Sequence, residues 1–283
     1  MNKSTPLIKR YCLAALFFAI ILSAIRTAAL FLSYDAGLGY FDKSIISSLT
    51  SYLSVAYPAC FLLVFLYVAK GKTELSFTPS SSPEKFGAVF AAVMFAFALF
   101  PAIDSLGAKK LTLLLCLTIP FSALFFILSL SKKSLHAVIR AYFSIVLIAT
   151  LVITMALLYF DMSIAMNSPH KTLGSFILIA GMLFTLCELR IFIGKPAPRL
   201  QLFSGLVCFT LGISYSLSTV IYLLFASLDK FSSHPVMLGN FGYVTIILGI
   251  SVYAFTRCLA VSQKSDTETE IAPVIEATIA EEE

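Results

Sequence analysis

Eight apolar runs dominate the chain, near residues 11–33, 46–69, 86–103, 110–130, 137–160, 173–193, 201–226 and 238–261. A helix needs about 20 residues to cross the roughly 30 Å of bilayer hydrocarbon. All eight runs approach or exceed that length, with 86–103 the shortest. None alternates with the period of two that a barrel strand shows, so the predicted spanning element is the helix. The expected fold is an all-α polytopic membrane helix bundle of eight transmembrane helices over residues 1–261. A disordered acidic cytoplasmic tail, 262–283, is expected to follow.

The opening of the pattern admits a second reading. "MNKSTPLIKR" followed by "YCLAALFFAIILSA" has the basic region and apolar core of a secretory signal, with small residues around Ala24. Cleavage there would leave seven helices. The apolar run resumes after Arg26 and continues to Ser33, longer than a signal core of about 7 to 15 residues, which favours an uncleaved anchor.

Composition agrees with the pattern. Hydrophobic residues make up 59% of the chain and charged residues 12%, about half the charged share of a soluble domain. The positions of the basic residues then set orientation. Fourteen of the twenty lie in the N-terminus and in the segments assigned to its side of the membrane, from Lys3 to Lys264. Five lie in the opposite loops: Lys43, Lys109, Lys110, Lys171 and Lys230. The positive-inside rule places both termini in the cytoplasm, in a bacterial-type plasma membrane. Residues 262–283 carry one Lys against seven acids, a net −6 that leaves +11 for the rest of a chain of net charge +5. Those basic residues follow membrane topology, which argues against nucleic acid as a partner; the partner implied throughout is the lipid bilayer. The acidic tail is also a candidate surface for a membrane or cytoplasmic protein partner.

Each odd-numbered run ends near an aspartate, at Asp35, Asp104, Asp161 and Asp229. A shift of 125 or 126 residues superimposes the first pair on the second, as a 4+4 parallel repeat with halves 1–136 and 137–261 would. The plainer account is that aspartate ends outward-facing helices.

Arg26 is the most informative position. It lies about seven residues, roughly 10 Å, below the outer end of its helix. Helical side chains lean toward the N-terminus, so its guanidinium points away from the nearer surface and must face protein or a wet cavity. A central membrane arginine costs about 2.5 to 3.5 kcal/mol on insertion scales and therefore demands partners. Asp35 projects from the opposite face, and Glu188 belongs to the other end of its helix. Two hydroxyl-bearing stripes match the arginine in depth: Ser47, Ser51 and Ser54, then Tyr215, Thr219 and Tyr222. Hydroxyls satisfy hydrogen bonds without neutralising charge. The competing account has backbone carbonyls, hydroxyls or phospholipid headgroups satisfying the arginine.

Other candidates carry less. Glu188 is the one acid read as lying well inside an apolar run, a candidate coupling group or a member of a charge network with Arg190 and Lys195. His136, His170 and His234 are dispersed; His170 and His234 are assigned to outer loops with Asp161 and Asp229, without the tight spacing of a zinc hydrolase. No metal or other cofactor is expected. The six cysteines fall in apolar segments and read as small buried hydrophobes. Pro58 and Pro120 predict kinks, and glycines such as Gly87, Gly205 and Gly212 predict close helix contacts. Phosphate-binding and serine-hydrolase motifs are absent.

The functional expectation is a permease or solute-binding protein for an anionic or zwitterionic small molecule. Its outer-half pocket would comprise Arg26, Ser51, Ser54, Tyr215, Thr219 and Tyr222, with Glu188 as coupling group. The alternatives are a non-catalytic membrane subunit or sensor, and a membrane-embedded lipid-modifying enzyme.

Overall fold

A computed structural model describes residues 5–35, 40–42, 44–70, 75–77, 82–104, 110–130, 137–161, 168–230 and 241–263. The described chain is helical: α1 (Thr5–Ser33), α2 (Ile45–Lys70), α3 (Ser82–Asp104), α4 (Lys110–Ser129), α5 (Ala137–Tyr159), α6 (Pro169–Phe192), α7 (Pro198–Lys230) and α8 (Phe241–Leu259). Seven of these helices, all but α2, are long and apolar enough among their described residues to cross a membrane. In α2 the apolar stretch among the described residues is shorter, Ile45–Ala56. Large apolar side chains such as Leu13, Phe17, Phe100 and Leu113 face outward on the spanning helices, the arrangement lipid permits and water penalises.

Helices α3, α7 and α8 make the most extensive interior contacts, and α4, α5 and α6 follow one another around them. Near the centre Tyr253 of α8 meets Phe125, Phe126 and Phe184 at centroid separations of 6.0, 5.0 and 6.1 Å, all edge-on, the geometry aromatic quadrupoles favour. Glycine brings the backbones together. A Cβ on Gly87 would stand 1.9 Å from Thr256 Oγ1, and one on Gly212 the same 1.9 Å from Ser251 Oγ. These two positions let α8 approach α3 and α7 closely, as small residues do at membrane helix crossings. The close packing of α1 against α7 has no counterpart of similar extent between α5 and α3.

Three differences from the sequence expectation matter. First, α6 begins at Pro169 rather than 173, with Ser168 extended (φ −60°, ψ 132°) at the N-cap and proline in the first turn, where its missing N–H costs nothing. His170 and Lys171 therefore belong to a buried helical turn, not to an outer loop. Second, Val261–Gln263 form a strand, β4, antiparallel to β3 (Leu75–Phe77), so residues 262 and 263 are part of a ribbon and not of the tail; residues 264–283 lie outside the described residues. Third, Arg257, one of the fourteen basic residues counted on the side of the N-terminus, is buried, 7% exposed. A further short ribbon pairs β1 (Tyr34–Asp35) with β2 (Tyr40–Phe41) and turns the chain from α1 into α2.

Candidate functional site

Arg26 is 2% exposed and meets side chains from α6 and α7. Its Nη2 donates to His170 Nδ1 at 3.0 Å, and His170 Nε2 lies 2.7 Å from the Tyr215 hydroxyl. The imidazole and phenol rings overlap at 4.5 Å, 30° apart, and the guanidinium carbon stands 5.5 Å from the centroid of the same phenol. A guanidinium can only donate, so Nδ1 must accept. That fixes the imidazole as the neutral tautomer with its proton on Nε2, donated to the Tyr215 oxygen. The phenol proton is released for another acceptor. Both described groups that hold the cation are thus neutral: the tyrosine face attracts it through the ring quadrupole and the histidine through a lone pair, and neither cancels its charge.

Among the described residues no carboxylate pairs with Arg26. Its Nε is buried without a hydrogen-bond partner, as is Ser23 Oγ one turn earlier on the same helix. The arginine lines a cavity of about 460 Å³ between α1, α2, α6 and α7, within the size range of small-molecule sites. Polar lining comes from Ser47, Thr50, Ser51, Ser54 and Thr172; apolar lining comes from Val55, Pro58, Leu173, Phe176, Val207 and Leu211.

The hydroxyls are turned onto their own helices. Thr50 donates to the Ile46 carbonyl at 2.9 Å, Ser51 to Ser47 at 3.1 Å, Ser54 to Thr50 at 2.7 Å and Thr172 to Ser168 at 3.2 Å. Each therefore shows the cavity an oxygen lone pair, and must rotate to donate to an anion. Pro58 removes the amide that would serve the Ser54 carbonyl four residues earlier.

Of the residues expected from the sequence, Arg26, Ser51 and Ser54 line this cavity. Tyr215 stands behind the arginine, wholly buried. Thr219 donates to the Tyr215 carbonyl at 2.7 Å and braces the turn. Tyr222 packs against Phe31 and Tyr34 at centroid distances of 5.3 and 6.0 Å. Neither Thr219 nor Tyr222 is among the residues lining the cavity. The sequence reading missed His170, Thr50 and Thr172. The run "SPHK" held the signal for the first: a serine cap followed by proline starts a helix, which puts His170 in its first turn, level with the arginine.

Glu188 is engaged elsewhere, at the far end of α6. Arg257 grips it with two bonds, Nε to Oε1 and Nη2 to Oε2, both 2.9 Å, and reaches Glu84 Oε1 through Nη1 at 2.8 Å. Gln201 donates from Nε2 to Glu188 Oε1. Glu84 Oε2 and Gln201 Oε1 are buried without hydrogen-bond partners. The partner of Glu188 is thus Arg257 on α8; Arg190 Nε donates to the Lys195 carbonyl instead, at 3.1 Å.

One of the three histidines, His170, lies among the described residues. His170 is committed to Arg26 and Tyr215, His136 and His234 lie outside the described residues, and the Asp161 carbonyl accepts from Lys171 Nζ at 2.7 Å. Among the described residues no group of three or more His, Cys, Asp or Glu side chains converges on a metal-sized position. Comparison with protein-family models, with curated proteins and with solved structures finds no match to this chain.

Proposed function

We propose that this multi-pass membrane protein is a solute-binding protein or permease that recognises an anionic group with Arg26. The observation that carries the reading is a buried guanidinium that lines a cavity with one N–H lacking a partner and no carboxylate to cancel its charge among the described residues. A charge buried in hydrocarbon is costly unless something of opposite sign reaches it, and a carboxylate or phosphate in the cavity would meet both needs through charge-assisted hydrogen bonds. His170 and Tyr215 hold the guanidinium in place without competing for that role. The distribution of basic residues supports both termini in the cytoplasm and α2 as the eighth span, which puts the cavity in the outer half of the bilayer.

The test is anion binding by the purified protein in lipid nanodiscs, screened over carboxylates and phosphates, with Arg26→Gln alongside. The expected result is loss of binding in the variant, at membrane expression and thermal stability close to those of the parent. Binding that survives the substitution, or a variant lost from the membrane altogether, would assign Arg26 to packing instead.

A further inference from the structure

The cavity is graded along its length, most clearly on α2. On α2 the lining passes from Ser47, Thr50, Ser51 and Ser54 to Val55 and Pro58. On α6 it passes from Pro169 and Thr172 to Leu173 and Phe176, moving away from His170 at the arginine. On α7, which runs the other way, the lining is apolar throughout, Leu211 and Val207, one and two turns below the Tyr215 that backs the arginine. The polar side chains gather at the guanidinium, with Phe41 and Pro169 beside them; the remainder is hydrocarbon. Of the roughly 16 Å of helix from Ser47 to Pro58, the apolar part, Val55 to Pro58 beside Leu173 to Phe176 and Val207 to Leu211, is about 5 to 6 Å, the depth of a few methylenes.

The flank of this channel also faces sideways. Helix α2 packs against α1 and α7 but not closely against α6. The two residues that edge the gap, Val55 of α2 and Phe176 of α6, are 71% and 59% exposed. On spanning helices that exposure is to acyl chains, so the cavity is continuous with the bilayer interior. A hydrophilic solute arriving from water would have to desolvate against Val55, Pro58, Phe176 and Leu211 and gain only the arginine. An amphiphile already in the bilayer leaves one apolar medium for another and gains the arginine at its head.

We infer that the occupant is a single-chain anionic amphiphile from the membrane, its carboxylate or phosphate head on Arg26 Nε and its acyl chain between α2, α6 and α7. This rests on the anion-binding reading above and names the ligand class for it. The head displaces no protein partner, since Nη2 stays on His170 while Nε gains one. The Ser51 and Ser54 hydroxyls rotate from their own helix to complete the head site.

The experiment is saturable binding of radiolabelled palmitate to the full-length protein in phosphatidylcholine nanodiscs, with empty discs subtracted. Acetate, inorganic phosphate and hexadecanol serve as unlabelled competitors. The inference expects palmitate to bind, acetate and phosphate not to displace it at about hundredfold excess, and the uncharged alcohol to compete about tenfold or more weakly. Val55→Trp, a substitution at an exposed position that narrows the gap between α2 and α6, should lower palmitate binding about tenfold with Arg26 intact. Arg26→Gln should abolish saturable binding at the head. Displacement by acetate or phosphate at concentrations similar to palmitate, with Val55→Trp silent, overturns the amphiphile while leaving an anion on Arg26. Equal competition by hexadecanol, or no binding of any anion by the parent protein, overturns both. If Arg26→Gln fails to fold, the alcohol competition and Val55→Trp decide the matter without it.

Discussion

Two buried arginines sit at opposite ends of α6, and the bundle treats them in opposite ways. His170, which serves Arg26, and Glu188, which serves Arg257, are roughly 27 Å apart along that helix. Arg257 is enclosed by two carboxylates, one gripped bidentately, with both ion-pair contacts under 3 Å. Arg26 is enclosed by an imidazole and a phenol face. A cation between carboxylates is spent: its field is cancelled within the protein, and its donors are committed to oxygens that cannot leave. A cation among neutral groups keeps its field and a free donor. The sum is asymmetric, with an excess of formal negative charge around Arg257 if both carboxylates are ionised and an excess of positive charge around Arg26. Burial alone therefore does not identify a site; the charge of the company does.

The comparison can be broken at either end, and the largest effect is expected at Arg257. Arg257→Leu would leave Glu84 and Glu188 buried without their cation, and loss of one partner of a buried pair costs about 3 to 5 kcal/mol. A drop of that order should appear in unfolding by denaturing detergent, or as failure to accumulate in the membrane. Tyr215→Phe comes next. It removes the acceptor of His170 Nε2–H and strands a buried donor, at about 1 to 3 kcal/mol, and it should also loosen the arginine and weaken ligand binding. Glu84→Gln should cost less, about 1 kcal/mol or under, because it removes the surplus charge and keeps an acceptor for Arg257 while the bidentate grip on Glu188 remains; a loss equal to that of Arg257→Leu would mean the two carboxylates are equivalent. Arg26→Gln should change stability least, since the charge it deletes has no carboxylate to strand, while abolishing anion binding. A stability loss in Arg26→Gln matching that at Arg257 would erase the contrast.

The helices were legible because their signal is redundant: every run supplies about twenty apolar residues, and an error at one end leaves the span intact. The helical limits match the apolar runs within a few residues at most ends. The start of α6 was the costly exception, because Ser168, Pro169 and His170 are polar or neutral in pattern and the cap, not hydropathy, marks them. Arg26, Ser51 and Ser54 could be brought together from depth alone, since residue count along a spanning helix is a ruler. Thr219 and Tyr222 shared that depth without lining the cavity, because depth does not give rotation about the helix axis. The Glu84–Arg257 contact joins α3 to α8 across most of the chain. Nothing in one helix's periodicity reports on such a partner, and both residues lay near the ends of their runs, where charge is unremarkable.

The ribbon of Leu75–Phe77 with Val261–Gln263 has a practical consequence at the end of the chain. Its rungs join the segment that follows α2 to the segment that follows α8, in the register Leu75 with Gln263 and Phe77 with Val261. Whatever is fused beyond Gln263 hangs from this clasp and not from a loose end. Trimming the protein back to Leu259 would strip Leu75–Phe77 of their backbone partners and unfasten the connection on which α2, one wall of the cavity, is anchored.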